Sequence, residues 1–301
     1  MRIKNNPKIA IAGSVSSSLR TLKKLHEHKC AVSAVLGLSP DVSKNVSGYI
    51  DLKLEGERLG YPSTYFTKIN DLSVLNFLRK KEIDLLFVVG LSQMVREPLL
   101  SLASIGNVGF HPTKLPQGRG RGAVAWILLG KAPGAATFFL MDEGMDSGPI
   151  LGQKLFEVLD TDYAEDIIHK IKYSIDEVLD DILPKLNAGA LMALPQDHKK
   201  ATFLGLRKPK DGLIDWRKTD REVYDLIRAT SRPLPGAFSE FDGGTIWIWR
   251  SQIKIQYTGI AGRIVDIIDG KPVVCCGRGA VLIEEYTSEK EMRFKIGKEF
   301  G

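Results

Sequence analysis

The sequence predicts an α/β domain built on a doubly wound, mostly parallel Rossmann-like sheet, followed by a small all-β, OB-like barrel domain. Three features carry that expectation. Short apolar runs alternate with stretches whose leucines recur at helical spacing, as strands separated by crossover helices would. Residues 83–89 form a nearly continuous apolar run, which suits a parallel strand buried on both faces. Beyond Arg228 the texture changes to short strand-like runs separated by Gly turns. A length of 301 residues suits two domains, and 1–200 and 201–301 are the expected division.

Residues 9–13 read as a first strand ending in a Gly turn, and Leu19, Leu22 and Leu25 then mark a helix. A second strand is expected at 31–38 and a helix at 52–59, stopped by Gly60-Tyr61-Pro62. A short strand at 63–66 follows. Residues 72–81 read as an amphipathic helix with Leu72, Leu75, Phe77 and Leu78 as its apolar set. After the 83–89 strand come strands at 106–110, 136–141 and 150–158, a long helix at 163–186 and an irregular stretch at 196–211. The second domain should carry strands at 237–241, 245–249, 262–268, 273–276 and 281–286. Asp242-Gly243-Gly244 and Asp269-Gly270 supply its turns.

Composition narrows the function classes. A hydrophobic fraction of 44% is enough for a sizeable core. No run approaches the ~18 apolar residues of a membrane span. The first eight residues are basic with no apolar segment behind them, so no signal peptide is expected. Cys30, Cys275 and Cys276 make no disulfide framework and no zinc-spaced cluster. They read as buried thiols in a cytoplasmic protein with no metal. The net charge of +6 is compatible with an acidic partner, but no long basic run marks a nucleic-acid binder.

The densest unusual segment is 109–122, with one His, two Pro and several Gly and Arg placed at an expected strand end. Ligands of such sheets bind at the carboxyl ends of the strands, so this segment and the loop after residue 89 should face one cleft. His111, fixed by Pro112, is a general acid/base candidate. The Gly/Arg loop can offer N–H and guanidinium groups to an anion. Asp146, in a second Gly-flanked turn, can orient an imidazole and stabilise its cation.

His111-Pro112-Thr113-Lys114-Leu115-Pro116, the Gly/Arg loop, Trp126 and the segment from Met141 to Leu151 resemble the folate-dependent formyltransferase family. That family includes methionyl-tRNA formyltransferase and the amino-sugar N-formyltransferases. The resemblance continues through Lys210 to Trp216, Ile227-Arg228-Ala229 and Pro233 to Phe238, so it covers most of the chain. It implies His111 and Asp146, thirty-five positions apart, as the catalytic pair. It implies 10-formyltetrahydrofolate as donor cosubstrate, its pterin set against Val89, Gly90, Leu91 and Ser92 and against Met141, Asp142, Glu143 and Gly144. The acceptor would meet Thr113, Lys114, Arg119, Gly120 and Arg121.

One position departs from the family's pattern. Where its members carry an Asn that helps bind the formyl oxygen, this chain has Gly109. Asn107 lies about 13 Å from His111 along a strand and does not simply replace it. Losing one oxyanion donor can cost about 2.7–4 kcal/mol. The expectation is that Gln93, Ser92 or a water fills the space left at Gly109. The other openings are an imidazolium at His111 acting alone, or slow or different chemistry. The Arg119-Gly120-Arg121-Gly122 loop looks more like the amino-sugar enzymes, so a nucleotide-linked amino sugar is the expected acceptor, with initiator tRNA the alternative. A 10-formyltetrahydrofolate hydrolase and a non-catalytic folate-binding protein stand behind these. A homodimer through the β domain is compatible with the sequence.

Overall fold

The computed structural model describes residues 4–301. Residues 1–3, which begin the basic N-terminal stretch, lie outside the described residues. The chain forms two compact units. The first holds the residues up to Ala123, Ala132–Glu157 and His169–Leu204. The second holds Val124–Lys131, Val158–Ile168 and Gly205–Gly301.

The first unit opens with β1 (Ile9–Gly13), α1 (Ser16–Glu27), β2 (Val32–Leu38), α2 (Leu52–Arg58), β3 (Ser63–Phe66), α3 (Leu72–Arg79), β4 (Leu85–Val89) and β5 (Gly106–Thr113). After the two-residue β6 (Arg119–Gly120) the chain passes through the short α4 (Ala123–Leu128), which falls almost wholly in the second unit, and continues with β7 (Gly134–Leu140) and β8 (Ile150–Leu155). The 24-residue α5 (Ala164–Asn187) then leads to the two-residue β9 (Phe203–Leu204). The main sheet has the order β3-β2-β1-β4-β5-β7-β8. It is parallel from β3 through β5 and antiparallel from β5 to β8. This is the expected mostly parallel architecture. Every residue of β1 and β4 is buried, as central strands covered on both faces must be.

Two details differ from the sequence reading. β5 runs on to Thr113, because the antiparallel β7 pairs with it beyond the point where β4 ends. His111 therefore sits inside the strand, and the register shifts at the neighbouring Pro112, which has no N–H to give the ladder. In α3 the buried face is Val74, Leu75 and Leu78, whereas Leu72 at the first position is 72% exposed.

The second unit is not all-β. It contains α4, the first turn of α5 and α6 (Asp220–Thr230). Thr219 caps α6, accepting from Glu222 N, while the Glu222 carboxylate returns to the Thr219 N–H at 3.0 Å. The strands β10 (Ala237–Phe241), β11 (Gly244–Ile253), β12 (Ile264–Ile268), β13 (Lys271–Cys275) and β14 (Ala280–Ser288) form an antiparallel sheet of order β10-β11-β14-β13-β12. Residues 298–301 close it. Ile264 N–H donates to the Lys298 carbonyl and Phe300 N–H to that of Gly262, both at 2.8 Å. Gly301 N–H donates to the Glu240 carbonyl at 2.9 Å. The tail thus bridges β12 to β10 and completes a barrel around Trp216, Phe241, Ile246, Ile248 and Phe300.

All three cysteines are buried and unpaired. Burial pushes the Cys30 thiol up to about 11, against a hydrogen bond from Asn187 that lowers it. Burial, Asp220 and Cys275 push Cys276 up to about 12. Among the described residues no helix is long and apolar enough to cross a membrane.

Candidate functional site

The site is assembled on the first unit, where β5 outruns β4. Gly13 and Gly90 let the β1–α1 turn sit against the end of β4. A β-carbon at Gly13 would stand 2.1 Å from Ser18 Oγ, and one at Gly90 would stand 2.4 Å from Val15. The Ser18 hydroxyl donates to the Val89 carbonyl at 2.6 Å and accepts from Ser14 N–H. Val89 is thereby fully buried with its carbonyl engaged, which removes it from direct contact with a ligand. Leu91 and Ser92, just beyond, carry no hydrogen bond to another described residue. Leu91, in the loop after β4, and Met141, in the turn after β7, both pack on one core cluster of the first unit.

His111 is 6% exposed and both ring nitrogens face chain groups. Nε2 lies 2.7 Å from the Gly118 carbonyl, which can only accept, so Nε2 carries a hydrogen. Nδ1 lies 3.6 Å from Asp146 Oδ2. That gap is longer than a hydrogen bond and falls within ion-pair distance for a protonated imidazole. Asp146 Oδ2 also accepts the Gly120 N–H at 2.8 Å. The carboxylate side of the pair is the accessible one, with the Asp146 side chain 21% exposed against 7% for His111.

The turn that carries Asp146 is pinned from inside. Asp142 Oδ1 accepts from Gly144 N–H at 3.0 Å and Ser147 Oγ at 2.6 Å. Glu143 and Gly144 are exposed. Gln196, which the sequence reading missed, donates from Nε2 to the carbonyls of Asp146 (2.9 Å) and Gly148 (2.7 Å).

Several residues stand elsewhere than the sequence suggested. Thr113 is wholly buried and its hydroxyl points at the Gln117 and Gly118 carbonyls, so it shapes the turn and does not reach a ligand. Arg119 is 4% exposed and donates to Gln196 Oε1 (2.7 Å), with His198 Nδ1 at 3.1 Å, so it is no open phosphate contact. Gly120 has φ 117°, and a β-carbon there would lie 2.4 Å from the Leu204 carbonyl, so only glycine fits. Lys114 and Arg121 are exposed and remain available to an anion.

The space at Gly109 is already filled. A β-carbon there would meet the Phe139 ring at 2.7 Å and Met141 Cγ at 3.1 Å. Gln93, expected to supply the missing amide, is used elsewhere: Oε1 accepts from Ile69 N–H at 2.7 Å and Nε2 donates to the Thr67 carbonyl at 2.8 Å. Asn107 donates to the Leu100 carbonyl and lies 1% exposed.

The residues present suit a heterocycle with donors and acceptors along one edge. The unpaired main chain of Leu91 and Ser92 and the exposed turn after Met141 offer the complementary groups. Among the described residues no group of three His, Cys, Asp or Glu is placed to hold a metal ion.

Comparison with known proteins gives two domain-level matches. A model described as formyl transferase matches residues 9–183, and one described as formyl transferase, C-terminal domain, matches residues 207–297. Solved structures are similar at low identity. HypX from Aquifex aeolicus, in complex with tetrahydrofolic acid, is 16% identical over 95% of this chain and 45% of its own, with a TM-score of 0.66. An N-formyltransferase from Helicobacter canadensis, in complex with folinic acid and dTDP-3-aminofucose, is 16% identical over 93% of this chain and 100% of its own, with a TM-score of 0.68. Methionyl-tRNA formyltransferase from Clostridium thermocellum is 20% identical over 83% of this chain and 95% of its own, with a TM-score of 0.56. The chain spans just under half the length of the HypX chain it matches. At these identities the likeness concerns the fold.

Proposed function

Because the chain belongs to the formyl transferase family, we propose that it moves a formyl group from 10-formyltetrahydrofolate to a primary amine, with a nucleotide-linked amino sugar as the acceptor. The observation that carries this reading is the buried imidazole of His111 facing Asp146 across 3.6 Å, on a unit whose Leu91 and Ser92 main chain is unbonded among the described residues and whose turn after Met141 is exposed. In the reaction a bond forms between the acceptor nitrogen and the formyl carbon, the bond from that carbon to the folate nitrogen breaks, and the proton lost by the amine ends on the departing folate nitrogen. When bound, the folate supplies the activated one-carbon unit.

The chain's residues take the other roles. Main-chain groups of Leu91 and Ser92, with the turn from Met141 to Gly144, hold the pterin edge. His111 Nε2–H is committed to Gly118, so Nδ1 is the ring atom that takes or offers a proton. Asp146 holds the imidazolium when it forms. Phe139 and Met141 occupy the space at Gly109, so the formyl oxygen meets no side-chain amide at that position. Lys114 and Arg121 are left to meet an acceptor diphosphate. A tRNA acceptor would call for a basic stripe across the surface, and acidic residues such as Glu284 and Glu285 interrupt the basic ones in sequence. A cytoplasmic setting belongs to the same proposal.

The test supplies 10-formyltetrahydrofolate with dTDP-, UDP- and GDP-linked amino sugars and with charged initiator tRNA, and follows tetrahydrofolate release. Turnover on an amino sugar is expected, together with a loss of about 10²-fold or more in the His111→Ala variant at unchanged circular dichroism. Turnover on tRNA alone would reverse the acceptor. Folate consumption without any amine would make the chain a hydrolase, and tight folate binding without turnover would make it a binding protein. Full activity in the His111→Ala variant would remove the histidine from the mechanism.

A further inference from the structure

We propose that Gln196 is the positioning residue of the His111–Asp146 pair, an inference that rests on the formyl-transfer reading above. Gln196 is 6% exposed and its amide is fully used. Nε2 gives one hydrogen to the Asp146 carbonyl and the other to that of Gly148, while Oε1 accepts from Arg119 Nη2. These contacts lie on the two segments that grip the catalytic pair.

On one side is the turn that carries the carboxylate. Asp146 has φ 49°, a left-handed conformation that residues with a β-carbon adopt sparingly. Such a conformation persists where surrounding contacts over-determine it. The two hydrogen bonds from Gln196 to the carbonyls of Asp146 and Gly148 do that, and they fix which way the carboxylate leaves the backbone.

On the other side is β6. Its residue Arg119 is flanked by Gly118, whose carbonyl takes the His111 Nε2 hydrogen, and by Gly120, whose N–H reaches Asp146 Oδ2. β6 is itself tied down by residues shortly after Gln196. Arg119 N–H donates to the Thr202 carbonyl at 2.9 Å, and Gly118 N–H donates to Thr202 Oγ1 at 2.8 Å. One side-chain amide therefore joins the carboxylate turn to the 118–120 segment, which holds both main-chain partners of the pair.

The residue type follows from the chemistry. The position needs two donors and one acceptor at once, with no charge added beside Asp146. Glutamate cannot donate, leucine can do neither, and asparagine is one methylene shorter.

The test uses the full chain. Gln196→Leu removes all three hydrogen bonds at similar size, whereas Gln196→Glu keeps the acceptor for Arg119 and loses both donors. In each, kcat should fall about 10- to 100-fold with KM for both substrates within about twofold, because a small displacement of a reacting group acts on the transition state. In ¹⁵N spectra of the histidine rings, assigned with His111→Ala, the Nδ1 resonance of His111 should move while Nε2, held by Gly118, stays. A purely structural role would lower the melting temperature and leave kcat per folded molecule and Nδ1 unchanged, and that result would overturn the proposal. Should Gln196→Leu fail to fold, Gln196→Glu decides by the same two readouts. The spectrum needs no turnover. Absence of formyl transfer on every amine would therefore sink the functional reading and leave Gln196 to stand or fall on Nδ1.

Discussion

Two buried arginines, one in each unit, meet opposite fates. Arg228 on α6 is 3% exposed and well satisfied. Its Nε donates to Asp225 Oδ1 at 2.7 Å, Nη1 to the carbonyls of Leu159 (3.2 Å) and Asp162 (3.0 Å), and Nη2 to that of Leu128 at 3.2 Å. It ties together the three chain segments of the second unit. Arg119 on β6 is buried almost as deeply, yet the acceptors it meets are a neutral amide and an imidazole, and its Nε has no partner among the described residues. A buried donor left unmade costs about 1–3 kcal/mol. The second unit uses its cation as a fastener. The first tolerates an under-satisfied one beside the His111–Asp146 pair, the kind of local cost that collects at functional sites.

That contrast can be broken. Arg228→Met takes one of the two arginine partners of Asp225 and the donor to three carbonyls, and should lower stability by about 3 kcal/mol in urea unfolding, with activity of the folded fraction intact. Arg119→Met, which removes an already unpaired donor, should cost less than about 2 kcal/mol but reduce turnover more. Equal losses of stability would erase the distinction. A second comparison sharpens how tightly the site is filled. Gly109→Ala drives a methyl into the Phe139 ring and should cost about 1–3 kcal/mol. Adding Phe139→Leu should return part of it, and no recovery would mean that the strain lies in the backbone.

The smallest effect comes from a satisfied charge in the first unit. Burial would raise the Asp84 carboxyl, but the Lys8 N–H, Ser104 and Lys4 outweigh it and hold the group below the ordinary carboxylate range. Its stabilisation is complete above the unfolded value near ~3.9 and is lost as pH falls through the lower folded value. Asp84→Asn should cost about 1.5 kcal/mol at pH 7 and flatten that acid limb of the stability curve. An unchanged limb would show that Asp84 is not the group responsible.

The architecture was legible where burial writes a simple pattern. The all-apolar β1 and β4 and the helix at Leu22 and Leu25 follow from it directly. The length of β5 was not, because its last residues are held by pairing with β7, twenty and more residues away. α6 was announced by Thr219 and Glu222, a capping box, but its short apolar stripe was masked by charged neighbours. The seam closing the barrel could not be read, since residues 298–301 pair through a handful of main-chain bonds that leave no periodicity. At the site, the nearness of His111 to Asp146 was anticipated. The burial of Arg119 was not, for arginine is a residue type that ordinarily stays in water. Gln196 gave no signal at all: it binds carbonyls 48 and 50 positions away, and a carbonyl belongs to every residue alike.

The partners of the His111–Asp146 pair have a practical consequence. His111 is held by the carbonyl of Gly118 and Asp146 by the N–H of Gly120, and neither group belongs to a side chain. No substitution deletes the carbonyl, proline alone would delete the N–H and its fixed φ does not match the 117° of Gly120, and any other residue there disturbs shape before it tests electrostatics. A semisynthetic ester in place of that one amide would remove the hydrogen and keep the geometry. Such an edit reaches the part of the candidate site that no alanine scan can see.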